Sequence, residues 1–148
     1  MNQNEIIMEK IKKAYYYLFY KIYKSIEYTS EQVGGKFWTD FKAGLVILTL
    51  ELWIIGSFLN YYSIINDKKL SIEMISPILL ISLIIFSIIN YFAFMRTDIW
   101  KTYNKEFDKL SEKENQTGTT IVWVIAICIT VNFFGSVYLL QKYVLKMY

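Results

Sequence analysis

The chain has no histidine, one cysteine and one proline in 148 residues. Histidine titrates near neutral pH and is the commonest metal ligand. Its absence closes most acid–base, nucleophile-plus-base and zinc chemistry to this chain. The lone Cys128 allows neither an internal disulfide nor a thiolate metal cluster. Sequence patterns for enzyme sites are missing as well: there is no HExxH, GxSxG, Walker A, CxxC or GxGxxG. No aspartate falls in the long apolar runs, so an intramembrane aspartyl pair is excluded. We therefore expect no enzyme, no cofactor and no metal.

What the chain has is apolar residues, 55% of the total, with a mean hydropathy of +0.30. They come in three long runs. Residues 43–65 carry one charge, Glu51, and residues 77–94 and 121–140 carry none. A spanning helix needs about 20 mostly apolar residues, and all three runs qualify. Three buried helices of a soluble domain would leave too few polar residues to cover them. The expected fold class is an all-α integral membrane protein with three spans, an amphipathic N-terminal helix, and a cytoplasmic extension of the second span.

Punctuation sets the expected boundaries. Residues 1–36 form the amphipathic helix and a hinge at Gly34-Gly35, and residues 37–148 form the membrane domain. Asn66 to Lys69 read as a turn. Ser76-Pro77 reads as a helix start, with proline where no amide hydrogen is needed. Asn115 to Gly118 read as a break before the third span, with Thr119 or Thr120 as its cap. The helical loop covers residues 95–118. Asn115-Gln116-Thr117 matches a glycosylation sequon on the side expected to face the cytoplasm. No cleavable signal peptide is expected.

Twelve Lys and Arg residues fall in the segments before the first run and between the second and third, against four elsewhere. The positive side faces the cytoplasm, so the N-terminus is expected inside and the C-terminus outside. Aromatic belts agree: Phe37, Trp38, Phe41 and Trp100 inside, Tyr61, Tyr62, Tyr138 and Tyr143 outside. The Ile, Lys, Asn and Tyr content suggests a bacterial inner-membrane protein. The two basic segments each carry five acids, so no nucleic-acid partner is expected.

Two cytoplasmic stripes stand out. Ile7, Ile11, Tyr15, Leu18, Ile22 and Ile26 recur at helical spacing, and so do Trp100, Tyr103, Phe107 and Leu110. Either the first lies on the membrane surface, or the two pair through Ile11, Tyr15, Leu18, Ile22, Trp100, Tyr103, Phe107 and Leu110.

Within the spans, Glu51 lies about 13 Å along its helix, near the bilayer middle. An ionised carboxylate there is costly, so it either lines water or is a neutral hydrogen-bonding acid. Asn60, Asn90 and Asn132 are the other polar candidates for a pore or a helix interface. Thr49, Trp53, Gly56 and Asn60 share one face of the first span. Cys128, Asn132, Gly135 and Ser136 share one of the third, where small residues permit close approach. Glu51 points to the other side of the first span, which favours an oligomer or a membrane-protein partner. The expected role is non-enzymatic: an accessory, assembly or immunity-type subunit acting through protein contacts. Alternatives are an oligomeric pore or effector of a toxin or antiviral defence system, and a proton-coupled transporter using Glu51.

Overall fold

The computed structural model describes residues 2–33, 38–96 and 98–147, apart from the side chains of Val33 and Ile72. The chain is all-helical, with no strand among the described residues. The elements are α1 (Gln3–Val33), α2 (Thr39–Ile65), α3 (Ile72–Asn90), a π turn (Tyr91–Met95), α4 (Ile99–Phe107) and α5 (Glu112–Tyr143). Three helices are long and apolar enough to cross a membrane: α2, α3 with its π turn, and α5. The expected hinge at Gly34 and Gly35, and also Lys36 and Phe37, lie outside the described residues.

Local chemistry explains where the helices start and stop, and it corrects several expectations. α2 begins at Thr39, four residues before the first apolar run, with Asp40 in its first turn. A carboxylate there meets the positive end of the helix dipole. At the other end, Lys68 N–H bonds to the Ser63 carbonyl and Asp67 N–H to that of Ile64, with Asp67 at φ 45°. This is a Schellman stop with aspartate in the left-handed position.

α3 starts five residues earlier than Ser76-Pro77 indicated. The carbonyl of Ser71 accepts from Met74 and Ile75, and Pro77 lies inside the helix. The expected cap fails because the earlier turn already forms on Ser71, and Pro77 then forgoes only its own bond to Glu73.

The expected extension of the second apolar run is not one continuous helix with it. Arg96 N–H reaches back to the Tyr91 carbonyl at 2.9 Å, which closes a π turn. α4 then starts afresh after Asp98 and stops at Phe107.

Nor do Asn115 to Gly118 break the chain, since α5 runs through them. Its cap is Ser111. The Ser111 hydroxyl and amide both donate to Glu114 Oε2, at 2.6 and 3.0 Å, and Glu114 N–H returns to Ser111 Oγ at 3.4 Å. That reciprocal pair is a capping box. Thr119 and Thr120 instead donate to carbonyls one turn back, those of Asn115 and Gln116.

The chain divides into two compact units, residues 1–47 with 90–122, and residues 48–89 with 123–148. The first has an aromatic core. Phe19 and Phe94 are fully buried and stack at 3.9 Å, with Trp100 edge-on to Phe19 at 5.5 Å. Tyr16, Tyr20, Ile22, Ala43, Ile47, Phe107 and Val122 are the other buried apolar residues of this unit.

The second unit packs more sparsely. Trp53 stacks on Phe133 at 5.4 Å, and a Cβ on Gly56 would lie 2.8 Å from that ring. Glycine here lets the ring seat directly on the α2 backbone. An open apolar groove of about 580 Å³ lies between Leu52, Trp53 and Gly56 of α2, Leu79 and Leu83 of α3, and Phe133 of α5.

Candidate functional site

The most closely organised region is the aromatic module of the first unit. The π turn swings Phe94 inward, where Tyr15 stacks on it at 5.4 Å and Tyr16 meets it edge-on at 5.8 Å. Tyr16 also stacks on Tyr103 at 4.6 Å. Phe107 receives Tyr17 edge-on and Tyr20 at a tilt. Offset and edge-on arrangements suit the ring quadrupoles, and each such pair adds about 0.5–1.5 kcal/mol beyond its buried area.

The polar tips find partners. Tyr20 OH donates to Asp108 at 2.8 Å and Tyr15 OH to Asn90 Oδ1 at 3.5 Å. Lys24 bridges to Asp108 at 3.3 Å, and Lys13 pairs with Glu106. Lys21 is buried between the Tyr17 and Tyr20 rings, and its ammonium donates to both oxygens of Asn115.

These surroundings move proton affinities. Burial raises the phenol pKa of Tyr16 and of Tyr17. It raises that of Tyr20 further, helped by the bond to Asp108. Burial lowers the Lys21 pKa, against an upward pull from Asp108. Lys13, by contrast, is raised, chiefly by its hydrogen bond to Glu106.

The structure brings some of the expected interface residues together and leaves others out. Tyr15, Ile22, Trp100, Tyr103 and Phe107 belong to the module, while Leu18 and Leu110 are half-buried. Trp100, expected in an interfacial belt, is 7% exposed inside it. Ile11 is 61% exposed and Ile7 49%, so the aliphatic stripe does not pair with the Trp100 stripe over its first half. The face that packs is Tyr16, Phe19, Tyr20 and Tyr23. A search for aliphatic residues at helical spacing misses this face, because three of its four residues are tyrosines. A tyrosine whose hydroxyl has a partner is also a large core residue. The first turns of α5 also contribute, with Asn115 on Lys21 and Gly118 beneath Tyr17, although their polar composition reads as a break.

In the second unit, Asn60 Nδ2 donates to Ser136 Oγ at 3.0 Å, and Ser136 Oγ donates to the Phe133 carbonyl at 2.7 Å. Tyr61 OH donates to Asn132 Oδ1 at 2.8 Å. Two of the expected polar faces, on α2 and α5, therefore meet. Asn90 is buried in the first unit. Glu51 is half-buried on α2. Cys128 is exposed, and a Cβ on Gly135 would touch nothing within 4 Å, so the close approach falls at Gly56 instead.

Comparison with protein-family models, curated proteins and solved structures finds no match. The functional reading therefore rests on residues and geometry.

Proposed function

We propose that the chain is a small multi-pass membrane protein that acts without catalysis, as an accessory, assembly or immunity-type subunit working through protein contacts. One contrast supports this reading. Residues 15–27 of α1 are buried or half-buried about the aromatic module, whereas residues 2–14 are all exposed, with Ile6, Ile7, Met8 and Ile11 among them. A helix end that is apolar on one side and left uncovered by the described residues is suited to binding something else. The three apolar helices support a bilayer location. In this reading they span a bacterial inner membrane, with α1 on the cytoplasmic side and the C-terminus outside.

The pore alternative gains less support. It asks Asn60 and Asn132 to line water, yet both amides engage side chains of the same unit.

The test is mild detergent extraction of tagged protein at native expression, with the mass of the particle measured. A discrete complex heavier than the monomer supports the reading, and a bare monomer sinks it. Depolarisation of cells on expression, altered by Glu51→Gln or Asn132→Leu, would favour the pore instead. Substrate uptake whose pH dependence disappears in Glu51→Gln would favour the transporter. Orientation is checked with Val144→Cys in a Cys128→Ser background. Labelling from the cytoplasmic side alone would overturn the proposed topology.

A further inference from the structure

The exposed half of α1 has a finer pattern than general amphipathicity. Asn4, Ile7, Ile11, Ala14 and Leu18 follow one another at spacings of three, four, three and four. A strict three–four alternation is the seam of a two-helix coiled coil, in which the side chains of one helix seat between those of the other. At 3.6 residues per turn this seam points about 150° away from the mean direction of Tyr16, Phe19 and Tyr20. Tyr16, Phe19 and Tyr20 and the seam therefore use nearly opposite faces of one helix, while Tyr15 and Ile22 join the module from within about 60° of the seam, beyond its exposed part. Asn4 to Ala14 are exposed and Leu18 is half-buried. The next seam position, Lys21, is already closed by Asn115. The free seam therefore ends at Leu18.

Charge decides what covers it. A helix that lies on an anionic bilayer carries a polar face rich in Lys and Arg. Here Glu5 and Glu9 nearly balance Lys10, Lys12 and Lys13. Asn4 on the seam is also a feature of helix pairs, where a single polar residue fixes register and partner number at some cost in stability. In a parallel pair of identical helices, Asn4 meets Asn4, Lys10 flanks Tyr15 and Gln3 flanks Met8. No like charges are opposed.

We propose that residues 4–18 of α1 pair in parallel with the same segment of a second copy of this chain. The proposal rests on the reading that the chain works through protein contacts, and it names the partner. A seam this short is marginal in free solution. Spans that hold both copies in one membrane raise their effective concentration and make such a pair sufficient.

The experiment uses the full chain in native membranes, in a Cys128→Ser background with one new cysteine at a time. Oxidative cross-linking of Ile7→Cys, Ile11→Cys and Ala14→Cys is expected to give a homodimer roughly tenfold faster than Glu5→Cys, Glu9→Cys or Lys12→Cys. Adding Ile11→Glu to the Ile7→Cys chain is expected to abolish the product. Because Ile11 is exposed, the change leaves the module intact. Equal rates on both faces, or no product on either, overturn the proposal. So does quenching of a fluorophore at Ile11→Cys by a lipid-borne quencher, which would place the seam on the bilayer. A cross-link to a protein of different mass also overturns the second copy as partner, yet leaves the broader contact reading standing.

Discussion

The Lys21 ammonium donates to both oxygens of Asn115, the backbone carbonyl at 3.0 Å and the side-chain Oδ1. The ammonium of a lysine that is 7% exposed is thus held by a neutral residue, with two phenol rings about it at 5.3 and 5.2 Å. Its desolvation is offset by dipoles and π faces. A carboxylate in place of Asn115 would offset it more fully, and in the first turns of α5 it would also meet the positive end of that helix. Asn115→Asp is expected to raise the melting temperature in detergent, by about 1 kcal/mol of stability. Lys21→Met keeps the apolar stem but strips a donor from two part-buried oxygens, of which the carbonyl keeps its bond from Thr119, and is expected to cost about 1 kcal/mol. Lys21→Glu sets a carboxylate against those oxygens and is expected to be worse than either. Thermal melts of the three variants in one detergent give the order.

Alkaline pH should loosen the same module. Tyr16, Tyr17 and Tyr20 all have phenol pKa values raised above the ordinary 10.0 by burial, and Tyr20 also donates to Asp108. A raised value means that the folded state holds its proton longer than the unfolded chain. Stability from these groups is therefore fully present below pH 10 and falls as pH rises beyond it. Lys21 acts in the opposite sense. Its lowered value is a cost at neutral pH that is relieved as pH approaches 10.5. Three phenols against one ammonium leave a net loss above pH 10. Chemical denaturation from pH 8 to 11 is expected to show falling stability, with a shallower fall in Tyr20→Phe. An unchanged slope in that variant would show that Tyr20 is not the main contributor.

Much of the architecture was legible in the sequence, because spanning helices announce themselves by apolar length alone. The α2 stop at Asn66 to Lys69 was equally readable from its turn residues. The helix starts were harder. Ser76-Pro77 and Ser71 both offer a plausible beginning, and only the backbone bonds at Ser71 decide between them. The π turn has no compositional mark in Tyr91–Met95, yet it separates a continuous helix from one that turns Phe94 into a core. Asn60 and Ser136 each lie on a polar face that helical spacing reveals, but that the two faces meet is seen only in the bond between them. The module's packing face is not legible as an apolar stripe, because Tyr16, Tyr20 and Tyr23 count as only half apolar, although each can bury a ring and satisfy a hydroxyl.

The capping box at Ser111 and Glu114 makes a separate, local prediction. Ser111→Ala removes the oxygen that accepts from Glu114 N–H and one donor to Glu114 Oε2. Loss of such a cap typically costs about 1 kcal/mol. The effect is expected mainly in the first turn of α5, seen as faster amide exchange at residues 112–116. The exchange of residues 123–140 should stay as it is. Uniform acceleration along α5 would mean that the cap governs the whole helix.

Two glycines of α5 should respond in opposite ways to the same substitution. Glycine in a helix interior costs about 1 kcal/mol relative to alanine, so Gly→Ala is stabilising wherever there is room. At Gly135 a Cβ would meet nothing within 4 Å, and Gly135→Ala is expected to raise stability by about 0.5–1 kcal/mol. At Gly118 it would fall 1.8 Å from the Tyr17 hydroxyl and 2.6 Å from the ring carbon that bears it. That ring is also held edge-on against Phe107 at 4.9 Å, so it cannot withdraw without breaking a core contact. Overpacking of this kind costs about 1–3 kcal/mol, which outweighs the propensity gain. Gly118→Ala is therefore expected to destabilise, and Tyr17→Leu, which shortens the obstructing side chain, to recover part of the loss in the double variant. A double-mutant cycle checks the point, since additive effects would mean that Gly118 is required for some reason other than its contact with Tyr17.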